Sequence, residues 1–100
     1  MQAIGNVKIG FKNYKIEPLV QLFQGEIYGA CSYSEEFLKI CGKLPQHDRN
    51  LTLIHELLHC ICKRFAITDL NQDEQTLDLL ATGLYEAIKD NPHIFHMEDI

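Results

Sequence analysis

Apolar and polar residues alternate with period two near the start of the chain. Val7, Ile9 and Phe11 alternate with Lys8 and Gly10, and Tyr14 and Ile16 flank Lys15 after the turn-prone pair Lys12-Asn13. That period predicts a hairpin with one buried face. Residues 17–23 fit neither a strand nor a helix pattern and read as irregular chain or a short strand, with Gly25 as a break. A second hairpin follows, with strands over 27–31 and 37–40 and a turn over 32–35. A short helix begun by Ser34-Glu35-Glu36 is the competing pattern.

Past Gly42 and Pro45 the period changes. Leu51, Ile54, Leu58, Ile61 and Phe65 recur at helical spacing, and between Leu57 and Cys62 only His59 is polar. A helix that is apolar on most sides belongs at the centre of a core, where an unpartnered imidazole would be costly. A short connection over 66–70 leads to a last helix over roughly residues 72–89, with Leu77, Leu80, Leu84 and Ile88 as its stripe and Asp90-Asn91-Pro92 as its stop. The tail, 93–100, either docks or frays. The implied fold is α+β, a small antiparallel sheet of N-terminal hairpins packed on a central helix and a C-terminal helix.

Composition narrows this further. One hundred residues, 46% hydrophobic and 23% charged, suit a single domain over 1–100. No run approaches the roughly 18 apolar residues of a membrane span, and the first 12 residues lack the apolar core of a secretory signal, so a cytoplasmic protein is expected. A net charge of -5 with scattered Lys and Arg argues against nucleic acid as a partner. Cys31, Cys41, Cys60 and Cys62 form no C-x-x-C pair and read as free, buried thiols.

The candidate chemistry lies in the central helix. His55-Glu56-Leu57-Leu58-His59 reads H-E-x-x-H, which on a helix sets two imidazoles one turn apart on one face, able to share a zinc ion. Glu56 stands where a general base would act on water in the open coordination position. A catalytic zinc normally takes a third protein ligand. The candidates are Glu74, Asp78, Cys62, His93 and His96. Glu74 and Asp78 are four apart, on a helix face shared with Ala81 and Tyr85. Glu74 also fits the N3 position of a capping box begun by Asn71. Tyr28, Tyr33, Tyr85 and the tail histidines are candidate oxyanion donors.

H-E-L-L-H, followed within twenty residues by Glu74 and then by Leu80-Ala81-Thr82-Gly83-Leu84-Tyr85 and Asp90-Asn91-Pro92, resembles the small H-E-x-x-H proteins of bacteriophages and mobile elements related to the ImmA/IrrE group of zinc metallopeptidases. The likeness covers roughly residues 25–92, and its helix motifs are the specific part. The wider group is similar to a reduced thermolysin-type (gluzincin) core. The resemblance implies that a Glu from the following helix completes the zinc site, which falls on Glu74. It also implies that an edge strand, here from the hairpin over 27–40, holds an extended protein or peptide substrate beside the active-site helix. Larger members are longer and carry Ala-Asn where this chain has Ala81-Thr82.

Two functions follow as expectations. The first is a zinc metallopeptidase cutting a protein substrate such as a regulator, with Glu56 as general base and His55, His59 and Glu74 on the metal. The alternative is a catalytically inactive, metal-stabilised binding module, in which ligation supplies folding energy to a small core. A purely structural site has no need of an acid beside its first His.

Overall fold

The computed structural model describes residues 5–19 and 28–95. Four strands, β1 (Gly5–Ile9), β2 (Lys12–Leu19), β3 (Gly29–Ser32) and β4 (Phe37–Cys41), precede three helices, α1 (Gln46–Phe65), α2 (Thr68–Gln72) and α3 (Glu74–Asp90). The fold is α+β, as the change of period implies. The strands lie in the order β1-β2-β4-β3.

The two hairpins are present, but they join into a mixed sheet and not an antiparallel one. β1 pairs antiparallel with β2, β3 antiparallel with β4, and β2 runs parallel to β4 with Ile16 opposite Leu38. Alternation decides which face of a strand is buried, and it is silent on which strands become neighbours. Burial decides that here: Tyr14, Ile16, Leu38 and Ile40 on β2 and β4 are the most enclosed strand side chains, so these two strands take the centre.

The first turn also falls earlier than Lys12-Asn13. The chain reverses at Gly10-Phe11, where Gly10 has φ +64°, a conformation open to glycine at little cost. Phe11 consequently stands 81% exposed instead of continuing the buried alternation. Glu17, Pro18 and Leu19 extend β2, while 20–23, the rest of the segment read as irregular, lie outside the described residues, as does Ile27.

α1 carries Asp48 in its first turn and Lys63 and Arg64 in its last, complementing the helix dipole. Ala66, in the left-handed conformation, closes it by donating its N–H to the Cys62 and Lys63 carbonyls. The face laid on the sheet is Leu53, Glu56, Leu57 and Cys60, at i, i+3, i+4 and i+7. The expected stripe is therefore corrected: Leu51, Ile54, Leu58 and Ile61 are only partly buried and Phe65 is exposed. α1 carries polar residues along much of its length, and its rotation is set by packing, with Leu53, Leu57 and Cys60 on the sheet and His55 and His59 facing α3.

α3 shows a similar shift. Leu77, Ala81 and Tyr85 are buried, whereas Leu80, Leu84 and Ile88 are more than 40% exposed. Its N-cap is Asp73, whose carboxylate accepts from the Thr76 N–H and hydroxyl, so Glu74 is the first helical residue and the capping box begun by Asn71 does not form. All four cysteines are free; Cys60 and Cys62 are buried, Cys31 and Cys41 half-buried. Ile94 and Phe95 of the tail are exposed.

Candidate metal centre

α1 and α3 face each other so that His55, His59 and Glu74 meet. Their ligand atoms all lie within 4.8 Å of one another, and the group could hold a metal ion. The two imidazoles, one helical turn apart, have centroids 5.0 Å apart. Nε2 of His55 is 3.0 Å from one Glu74 oxygen and Nε2 of His59 is 3.0 Å from the other. Glu74 can reach both because the Asp73 cap starts α3 at this level of α1.

The other nitrogen of each ring is also engaged. Nδ1 of His55 lies 3.2 Å from Oδ1 of Asp78, and Nδ1 of His59 lies 2.6 Å from Oδ1 of Asn71. With a cation in the space they share with Glu74, both Nε2 atoms would act as ligands, and the acceptor oxygen at each Nδ1 would then hold the ring proton there. Three acceptors converging on one point are satisfied by a cation. Two neutral imidazoles and a carboxylate are a donor set that zinc accepts.

These contacts sort the candidates. Glu74 joins the histidines and Asp78 orients one of them. Cys62 is buried but does not join the group, and His93 lies exposed beyond the end of α3. His96 lies outside the described residues. Asn71 was legible only as a possible cap. The signal for its role, three residues before Glu74 and twelve after His59, depends on the course of α2.

Glu56 occupies the sheet side of α1 and is only 8% exposed. Burial pushes its carboxyl above the ordinary range, opposed by the neighbouring His55 and by the Cys31 thiol. Cys31 packs against the core cluster that holds Cys60 and the buried Tyr14. The neighbouring Cys60 and then burial hold the Cys31 thiol well above its usual range, so it stays protonated. Sequence patterning treats these cysteines as hydrophobes, and only the packing of β3 on α1 brings Cys31 beside Glu56.

Gly29 sets how close that packing is. A Cβ there would sit 2.6 Å from Cγ2 of Thr52, 3.0 Å from the Lys39 carbonyl and 3.2 Å from Cγ of Glu56. β3, an edge strand among the described residues, thus lies directly against the helix that carries the motif.

Between them opens a cleft of about 920 Å³ whose lining includes Gly29, Cys31, Glu56, both motif histidines and Glu74. Tyr28 and Tyr33 also line it. Tyr85 does not, being packed edge-on against His47 and accepting from Asn50. No described helix is long and apolar enough to cross a membrane. Comparison with protein-family models, with curated proteins and with solved structures finds no match to this chain.

Proposed function

We propose that this chain is a zinc metallopeptidase that hydrolyses a peptide bond in a protein substrate, of the ImmA/IrrE-like kind that its motifs resemble. The observation that carries the reading is a buried acid, Glu56, in the cleft beside an incomplete donor set. His55, His59 and Glu74 are three ligands, and among the described residues no fourth joins them. Closed structural zinc sites use four protein ligands, whereas catalytic sites use three.

Zinc held by His55, His59 and Glu74 would supply a Lewis acid that acidifies water and polarises a carbonyl. The remaining work falls to the chain. Asp78 and Asn71 keep the two imidazoles in one tautomer and one orientation. Glu56 takes a proton from the water whose oxygen attacks the peptide carbonyl carbon, and passes it to the nitrogen as the C–N bond breaks.

β3 gives the substrate a template. The Cys41 N–H donates to the Tyr28 carbonyl, so alternation along the antiparallel pair turns the backbone groups of Gly29 and Cys31 to the free edge. An extended segment can add there as a further strand.

The test uses zinc-loaded full chain and a library of fluorescence-quenched peptides. Glu56→Gln should retain a single zinc per chain while hydrolysis falls by a factor on the order of 100 or more. A wild-type chain that binds zinc and cuts nothing would favour the binding module. Loss of zinc from Glu56→Gln would remove Glu56 from the role of base.

A further inference from the structure

We propose that the cleft selects its peptide by charge polarity, taking an acidic side chain on the N-terminal side of the bond to be cut and a basic one on the C-terminal side. The inference rests on the peptidase reading and adds a substrate class to it.

Two exposed charges stand at opposite ends of the cleft, Asp48 in the first turn of α1 and Lys63 in the last. Among the described residues neither enters a salt bridge. At 1.5 Å per residue, Lys63 lies about 9 Å along the helix from the midpoint of the two motif histidines, and Asp48 about 13 Å the other way. The metal centre therefore sits between a positive and a negative mouth.

The direction of a bound peptide follows from β3. Gly29 packs by Thr52 and Glu56, and Cys31, two residues on, packs against the cluster that contains Cys60, so β3 runs the same way as α1. A strand added to the free edge in the favoured antiparallel sense runs opposite to both. Its N-terminal half then passes Lys63 and its C-terminal half passes Asp48. At about 3.3 Å per residue, the acidic position falls about three residues before the scissile bond and the basic one about four after.

Exposed pairs of this kind are weak, so together they should give a preference on the order of five- to tenfold. The probe is a pair of blocked, fluorescein-labelled peptides of one composition. One places Asp before and Lys after the central bond, and the other is reversed. Binding is read by anisotropy on zinc-loaded Glu56→Gln protein, which removes turnover from the measurement. The Asp-first peptide should bind more tightly, the difference should shrink as salt is raised, and Asp48→Lys with Lys63→Glu should reverse the order.

Circular dichroism checks the double variant. If it does not fold, Lys63→Glu alone must remove part of the preference. Equal affinities, or an order that survives the substitutions, overturn the charge assignment and leave a peptide-binding cleft standing. Failure of either peptide to bind overturns the charge assignment, and hydrolysis of the quenched library then decides separately whether the peptidase reading falls too.

Discussion

Oδ1 of Asp78 lies 3.2 Å from Nδ1 of His55, on the side of the ring away from the Nε2 that faces Glu74. The two acids of α3, one helical turn apart, thus differ, Glu74 lying in the group that could hold a metal and Asp78 against one of its histidines. Asn71 does for His59 what Asp78 does for His55. Asp78→Ala and Asn71→Ala should each weaken zinc binding about 10- to 100-fold, and Glu74→Gln should weaken it more than either. Competition with a chromogenic chelator measures this, and a larger loss from Asp78→Ala than from Glu74→Gln would exchange the two roles.

Metal binding should also stabilise the fold, because the donors join α1 to α3. Zinc at 100 times its Kd would add about 2.7 kcal/mol, which in a chain of this size raises Tm by on the order of 10 °C. Calorimetry with and without a chelator should find that shift in the wild type and little of it in His59→Ala. An equal shift in both would place the stabilising zinc elsewhere.

Gly29→Ala should separate β3 from α1. The new methyl would meet Thr52 at 2.6 Å and a backbone carbonyl at 3.0 Å, so overpacking should cost about 1 to 3 kcal/mol in urea denaturation. Thr52→Ser, which removes Cγ2, should restore part of that loss. A single variant as stable as wild type would mean that the strand and helix are not held this closely.

Leucines on α3 should differ by position. Leu77 is fully buried, and its truncation to Ala should cost about 2 to 5 kcal/mol. Leu80→Gln and Leu84→Gln lie on the exposed side and should change stability by about 0.5 kcal/mol or less. Comparable losses at all three would restore the stripe that the sequence periodicity suggests.

Much of this protein is local and so was legible in its sequence. The hairpins follow from period-two alternation, the central helix from period-3.6 spacing, and the pairing of His55 with His59 from the pitch of that helix. Glu74 could be favoured, with the capping reading left open against it.

Tertiary structure decided the rest. The parallel pairing of β2 with β4, the rotation of α1 and the buried side of α3 depend on which surfaces compete for one core, and a local pattern does not record which neighbours an element meets. The contacts of Asp78 and Asn71 with the histidines join residues 23 and 12 apart in the chain. A pattern of hydrophobicity records which side of an element is buried. It carries no distance between two polar atoms on different elements, and a metal centre with its supporting hydrogen bonds consists of such distances.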